Sequence, residues 1–183
     1  MDLKTIHKAC TSSALKKHFL GILFSDKISI KIKNGNVADF YIVNTNHLSG
    51  EHWYTIIRGS NMWVIFDSTE FTPNEEYENV INSTKLPCII DRGKIQSDSS
   101  LLCGEFALMA TLLMTNIFTN FENLNYSSYP VNYYSKSIKK YVKLKGKSCN
   151  DFVYKYIYND MKLNLHIKPE CKNEVVEWLK YEI

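Results

Sequence analysis

Cysteine pairs, a secretion signal and long apolar runs are all missing from this sequence. Its five cysteines are an odd number at scattered positions without a Cys-x-x-Cys pair, which argues against a disulfide framework and a zinc site. The first four residues carry no apolar segment of a signal peptide. No apolar run reaches the roughly 20 residues that a membrane-spanning helix needs. We therefore expect an intracellular protein that is not secreted, has no membrane partner and holds no metal.

Arginine and a strong net charge are scarce as well. The chain has 20 lysines and two arginines, and its excess of Lys, Asn, Ile and Tyr is typical of AT-rich codons rather than of any chemistry. The net charge of +3 at pH 7 is too small to require a nucleic-acid partner.

What the sequence does contain is the composition of a globular domain. Its 183 residues are 45% hydrophobic and 22% charged, and neither an internal repeat nor a linker interrupts them. We predict a single domain over residues 1–183, with a core over 1–119 and a helical portion over 120–183. The helical portion favours helices near residues 133–144, 149–164 and 170–181.

The first half of the chain mixes helical and strand patterns. Residues 2–18 favour a helix in one or two pieces, and residues 19–24 favour a connector or strand. Residues 27–33 alternate between apolar and polar side chains and precede Asn34-Gly35, a strong hairpin signal. This pattern predicts a hairpin whose second strand is formed by residues 37–44.

A second hairpin is clearer. Residues 52–57 and 62–67 are rich in aromatic and β-branched side chains, with a four-residue turn between them. A short helix over 75–82 and a short strand over 86–90 follow. We therefore predict an α+β fold in which a central buried helix packs on a mostly antiparallel sheet and further helices flank it.

The central helix is predicted over residues 100–119, after a polar Ser-rich loop. It is apolar nearly all round, which indicates burial. Ser99 or Ser100 can cap it, and Cys103 then falls in the first turn. There the free N–H groups and the positive end of the helix dipole favour a thiolate, the reactive form of cysteine.

Two neighbours of Cys103 suit the same chemistry. Gly104 lets a substrate approach the backbone, and Gln96, seven residues upstream, has an amide donor that suits an oxyanion hole. On its own, however, Cys103 fits a buried small apolar residue just as well.

The second hairpin supplies an imidazole and a carboxylate. His52 begins its first strand and Asp67 ends its second, so hairpin geometry places them at one edge of the sheet. There an acid can orient the imidazole while the other ring nitrogen takes a thiol proton, and Trp53 would form an aromatic wall nearby. Alternatively, Asp67 starts a turn, His52 is a surface residue, and His47 is a rival base.

The order His52-Trp53, Asp67, Gln96 and Cys103-Gly104 resembles the adenovirus maturation proteases and the wider group of SUMO-type deconjugating cysteine proteases. Two further segments look similar to the adenoviral enzymes, Phe19-Leu20-Gly21 and Ile42-Val43-Asn44-Thr45, so that the resemblance covers about residues 19–110. The adenoviral enzymes commonly have Glu where this chain has Asp67.

The resemblance implies a role for each of these residues. Cys103 would be the nucleophile, His52 the general base and Asp67 its orienter. Gln96 and the backbone N–H of Cys103 would form the oxyanion hole. No cofactor would be required for the chemistry.

The resemblance also implies two activators, a short viral peptide and DNA. The peptide could form a disulfide with Cys88, although a cysteine buried in the sheet explains this residue equally well. A lysine stripe at helical spacing could contact DNA phosphates, although a solvated helix face would look the same. The stripe consists of Lys136, Lys139, Lys140, Lys143 and Lys147.

Together these observations predict a monomeric cysteine endopeptidase that processes viral capsid or core precursor proteins. It would act in the host cytoplasm, nucleus or virus factory and be packaged in the virion. Three alternatives use the same fold: a deconjugating protease for a SUMO- or ubiquitin-like modifier, an acetyltransferase, and an inactive binding module.

Overall fold

The computed structural model describes residues 1–11, 14–28, 32–33, 35–45, 52–69, 74–92, 95–96 and 100–120. They form three α-helices, α1 (Leu3–Thr11), α2 (Asn74–Ser83) and α3 (Cys103–Asn120). They also form five strands, β1 (Phe19–Phe24), β2 (Phe40–Asn44), β3 (Trp53–Arg58), β4 (Trp63–Asp67) and β5 (Cys88–Arg92).

The five strands form one sheet in the order β1-β2-β3-β4-β5. The two inner pairs are antiparallel, whereas β1 runs parallel to β2 and β5 runs parallel to β4. The prediction of an α+β fold is therefore confirmed. The expectation of a mostly antiparallel sheet is wrong, because both outer strands join through longer connections that return them parallel.

Helices cover both faces of the sheet. Alternate residues of β2, β3 and β4 belong to two separate apolar layers, one shared with α1 and α3 and the other shared with α2. Because both faces are covered, every residue of β2 and β4 is buried. Strand parity thus decides which layer a side chain enters.

Helix α3 is the central buried helix that the sequence predicted. Its described side chains are buried from Cys103 to Ala110, and it lies across β3. Between the two elements, the hydroxyl of Thr111 donates to that of Thr55 over 2.9 Å. A buried polar pair of this kind satisfies both groups away from water and fixes the position of the helix on the sheet.

The second predicted hairpin is confirmed as β3 and β4. Gly59 N–H donates to the Met62 carbonyl over 2.9 Å and closes the turn, and Thr55 lies opposite Phe66 in the antiparallel register. The predicted helix over 75–82 is confirmed as α2, and the strand predicted over 86–90 occurs two residues later, as β5.

The first predicted hairpin is wrong. Strand β2 pairs with β1 on one side and with β3 on the other, so no edge of β2 remains for residues 27–33. Ile32 is buried instead in the α2 layer, and its N–H donates to the carbonyl of Ser83. Ile28 and Ile32, the described apolar residues of this pattern, therefore pack in the α2 layer rather than beside β2.

The N-terminal region follows the prediction in two pieces. Asp2 accepts a hydrogen bond from Thr5 N–H over 2.7 Å and caps α1, and a 3-10 turn over Ala14–Lys17 follows. Phe19–Phe24 is a strand whose pairing is irregular at Gly21, where φ is 146°. Glycine adopts this φ without strain.

Several predictions lie outside the described residues. They are the three helices after residue 132, the whole lysine stripe, His47 and Ser99. Among the described residues, no helix is both long and apolar enough to cross a membrane.

Candidate active site

Three elements bring the predicted site residues together. His52 directly precedes β3, Asp67 is the last residue of β4, and Cys103 is the first residue of α3. The β3–β4 register places His52 and Asp67 as diagonal neighbours on one face of the hairpin. The hairpin alone therefore delivers the imidazole and the carboxylate to one edge of the sheet.

His52 and Asp67 form a close hydrogen-bonded pair. His52 Nε2 lies 2.9 Å from both carboxylate oxygens of Asp67. The Asp67 side chain is fully buried, and that of His52 is 17% exposed. The predicted neighbourhood of these two residues is confirmed, and the contact fixes the ring so that Nδ1 faces away from the carboxylate.

A buried carboxylate needs donors, and Asp67 has several. Thr69 donates to Oδ1 through its backbone N–H over 2.8 Å and through its hydroxyl over 3.1 Å. Tyr77 OH donates to Oδ2 over 2.8 Å. Hydrogen bonds to a carboxylate favour its charged form, so this network holds Asp67 as an anion beside the imidazole.

The sulfur of Cys103 faces the other side of the imidazole. It lies close enough to the His52 side chain and to the backbone N–H of Trp53 for both to lower the pKa of its thiol. Because Nε2 is used by Asp67, Nδ1 is the ring nitrogen available to the sulfur. Cys103 is 8% exposed, so it lies at the surface of the core rather than deep inside it.

These contacts change the ionisation of both groups. Burial raises the pKa of the Cys103 thiol, but the His52 hydrogen bond and positive charge outweigh burial, so the pKa of Cys103 lies below its usual value of 9.0. For His52, burial alone would lower the pKa, but the hydrogen bonds and charges of Asp67 and Cys103 raise it to about 10. Relative to the two side chains in isolation, the pair is therefore shifted toward thiolate and imidazolium.

Trp53 supports the site differently from the predicted aromatic wall. It belongs to the α3 layer, while strand parity puts His52 on the opposite face. Its backbone N–H contacts Cys103, and its indole N–H donates to the Met1 carbonyl over 3.1 Å. Trp53 thus connects Cys103 to the N-terminal segment.

Gly104 also has another role than the expected one. A Cβ at this position would lie 2.9 Å from Met1 Cβ and 3.2 Å from Ile6 Cδ1. The absence of a side chain therefore lets the N-terminal segment pack on the first turn of α3. Residues of this chain fill the space on the Cβ side of Gly104, and the approach of a substrate to its backbone stays a prediction.

Gln96 is 6% exposed and held at both ends of its amide. Its Oε1 accepts a hydrogen bond from the Ser68 hydroxyl, and its Nε2 donates to the Ser100 carbonyl, each over 2.7 Å. An amide nitrogen has two hydrogens, of which this contact uses one. Gln96 is therefore fixed in the loop that leads to Cys103, and its oxyanion role stays a prediction.

The start of α3 differs slightly from the predicted one. The Ser100 hydroxyl accepts a hydrogen bond from Leu102 N–H over 3.2 Å, one residue before the helix, so Ser100 shapes the entry rather than capping the first turn. Helix α3 begins at Cys103 itself, and Leu102 accepts its first hydrogen bond, from Phe106. Cys103 thus lies at the positive end of the helix dipole, as predicted.

Cys88 contrasts with Cys103. It is half-buried at the start of β5, and its sulfur lies 3.3 Å from the Thr84 hydroxyl. Burial raises the pKa of the Cys88 thiol despite that hydrogen bond. A disulfide of Cys88 with a peptide stays a prediction. Within the described part of the chain, no three His, Cys, Asp or Glu residues form a group that could hold a metal ion.

Sequence reasoning missed Ser68, Thr69, Tyr77 and Met1 as neighbours of the site. Ser68 and Thr69 could have been found, because they follow Asp67 in the turn considered for it. Tyr77 and Met1 come from other elements, and no local pattern in the sequence marks their contacts.

Comparisons with protein-family models and with curated protein sequences find no match to this chain. The site therefore has to be interpreted from its own geometry.

Proposed function

We propose that the protein is a cysteine protease with Cys103 as nucleophile. The observation that supports this best is the succession of Asp67, His52 and Cys103: Asp67 is hydrogen-bonded to His52, and the imidazole lies close enough to the Cys103 sulfur, at the start of α3, to lower the pKa of its thiol. A nucleophile next to a base, with the base oriented by a third group, is the arrangement that covalent acyl transfer needs.

A comparison within the chain supports activation of Cys103. Cys10 is a structural thiol of α1, 0% exposed, and burial raises its pKa to about 12. Cys103 is also buried, yet its pKa is lowered. The difference comes from His52 and from the backbone N–H of Trp53, which are the groups that a reactive thiolate requires.

The proposed reaction has two steps. In the first, the Cys103 thiolate attacks the peptide carbonyl, and imidazolium His52 gives its proton to the departing amine, which leaves a thioester. In the second, His52 removes a proton from water, which attacks the thioester and releases the acid and the thiolate. Asp67 keeps the ring oriented throughout, and the Gln96 amide with the Cys103 backbone N–H would stabilise the oxyanion.

We further propose that the protein is an endopeptidase similar to the adenovirus maturation proteases and that it acts on viral capsid or core precursors. The support is the resemblance over about residues 19–110, together with the chain order of the His strand, the Asp strand, Gln96 and the Cys helix. Activation by a viral peptide or by DNA, and packaging in the virion, belong to the same proposal.

The decisive experiment incubates the purified full chain with candidate capsid and core precursors, with and without DNA, and maps new termini by mass spectrometry. Wild-type protein should cut and Cys103→Ala should not. Cys10→Ala is the matched control, since it removes a buried thiol outside the site and should retain cleavage. Cleavage by Cys103→Ala would overturn the proposal.

Two further arms separate the alternatives. Reporters joined through Gly-Gly to a ubiquitin-like protein test for a deconjugating protease, and turnover of acetyl-CoA tests for an acetyltransferase. Activity confined to either arm would replace the endopeptidase assignment. Inactivity of wild type in every arm, with Cys103 inert to iodoacetamide, would indicate a binding module.

A further inference from the structure

Tyr77 reaches the proposed site from the far side of the sheet. It lies in α2, it is 0% exposed, and its hydroxyl donates to Asp67 Oδ2 over 2.8 Å. Asp67 has the same strand parity as Trp63 and Ile65, whose side chains enter the α2 layer. The carboxylate therefore contacts His52 at the edge of the sheet and Tyr77 on the face that α2 covers.

The Tyr77 ring is itself held by charge and by packing. The Arg92 guanidinium lies over it, 4.9 Å from the ring centroid, and Tyr54 packs edge-on at 5.3 Å between centroids. Arg92 also lies beside Asp67 in the parallel register of β4 and β5. A cation over the face of a phenol draws electron density from it and makes its hydroxyl a stronger donor.

We propose that Tyr77 is a positioning residue for the catalytic pair: its hydroxyl, strengthened by Arg92, holds the Asp67 carboxylate in the orientation that keeps both oxygens on His52. This inference rests on the proposed function, because it assigns Tyr77 a role in the ionisation of Cys103. Tyr77 touches neither the sulfur nor a substrate, so it acts only through Asp67 and His52.

The expected consequence follows from the donors around Asp67. Among the described residues, the charged and titratable groups around it include His52 before β3, Tyr77 from α2 and Arg92 from β5, with Cys103 of α3 beyond the imidazole. Without the phenol, Oδ2 loses a donor and the carboxylate can turn. The imidazolium then loses support, and so does the thiolate that it stabilises.

The test measures the rate of iodoacetamide alkylation at Cys103 against pH, with peptide mapping by mass spectrometry to separate the five cysteines. Tyr77→Phe should slow alkylation at pH 7 by about tenfold, the usual effect of one hydrogen bond to a charged group. It should also move the midpoint of the profile upward by about one pH unit. Peptide cleavage should show the same loss in kcat with KM unchanged.

Tyr41→Phe is the matched control. It removes the same atom from the same apolar layer, where Tyr41 is 7% exposed and packs against Trp63. Its alkylation profile should equal that of wild type. If the alkylation profile of Tyr77→Phe also equals that of wild type, the positioning role is overturned. The protease proposal would still stand if the wild-type midpoint lies at a lower pH than that of an ordinary thiol.

Two further outcomes are informative. A wild-type midpoint near that of an ordinary thiol would overturn the protease proposal itself. If Tyr77→Phe fails to fold, as judged by thermal unfolding, Arg92→Met keeps the phenol and removes the cation above it, which also lies beside Asp67. That variant should slow alkylation by about threefold, and an unchanged profile would overturn the inference.

Discussion

Asp67 combines two roles that the sequence offered as alternatives. Its Oδ1 accepts from Thr69 N–H, two residues on, which is the contact of an Asx turn, and both oxygens also contact His52. The turn fixes the carboxylate and the carboxylate fixes the ring. A residue that fits a structural explanation from sequence can therefore serve chemistry as well.

Asp67→Asn tests the second of these roles. An amide can place its NH2 group toward His52 and impose the wrong tautomer, and the corresponding change in serine proteases lowers kcat by about 10⁴-fold. We expect a loss of at least about 10²-fold in kcat here. Steady-state cleavage measures it, and circular dichroism checks that the turn and fold persist. Retention of full activity would contradict the orienting role of Asp67.

Gln96→Ala tests the oxyanion role. Loss of one such donor usually lowers kcat by about 10²–10³-fold. Gln96 also ties Ser68 to Ser100, so a loop effect must be separated from an electrostatic one. Ser68→Ala removes only the hydroxyl that holds Oε1 and should lower kcat far less. Equal losses in the two variants would show that Gln96 acts through the loop.

At the scale of elements, the first turn of α3 is where the site and the N-terminal segment meet. Gly104 faces Met1 and Ile6, while the residue before it is Cys103, the proposed nucleophile. Packing of the N-terminal segment and placement of the sulfur are therefore set by the same turn.

Two explanations of Gly104 predict opposite effects of Gly104→Ala on the free energy of unfolding. Helix propensity alone would make alanine more stable by about 1 kcal/mol. An alanine Cβ would instead lie 2.9 Å from Met1 Cβ, an atom attached directly to the backbone. This contact predicts overpacking that destabilises the fold by about 1–3 kcal/mol. Urea unfolding measures the sign, and a gain in stability would contradict the packing explanation.

At the scale of the molecule, what the sequence could predict depended on distance along the chain. The β3–β4 hairpin, and with it the His52–Asp67 pair, follows from a short turn between two strong strand patterns. The start of α3 follows from a polar loop that meets an apolar helix. Such signals are local, so one sequence is enough to find them.

The missed features depend on contacts between distant segments. The local Asn34-Gly35 signal predicts that residues 27–33 pair with β2, but β1 occupies that edge of β2, and Ile28 and Ile32 pack in the α2 layer instead. The Tyr77–Asp67 bond and the packing of Met1 on Gly104 join elements that are far apart in the chain. Neither follows from periodicity or turn chemistry.

The ionisation of His52 predicts how the stability of the whole molecule depends on pH. Folding raises the pKa of His52 from 6.5 to about 10. Its contribution is therefore fully present below about pH 6.5 and is lost as the pH rises through about 10.

The lowered pKa of Cys103 contributes stability with the opposite pH dependence, so the comparison is made in a Cys103→Ala background. Between these pH values, Cys103→Ala should lose free energy of unfolding relative to the double variant Cys103→Ala/His52→Gln, in which neither group titrates. Urea unfolding at a series of pH values measures the difference. A constant difference from pH 6.5 to 10 would contradict a charged His52 in the folded protein.

The described thiols also differ in a way that has practical use. Burial raises the pKa of Cys10 and of Cys88, while the neighbours of Cys103 lower its pKa. A fluorescent electrophile added in limiting amount near neutral pH should therefore react with Cys103 before it reacts with Cys10 or Cys88. Once peptide mapping separates it from label on Cys149 and Cys171, the dye bound at Cys103 would count the competent molecules in a preparation before any natural substrate is known.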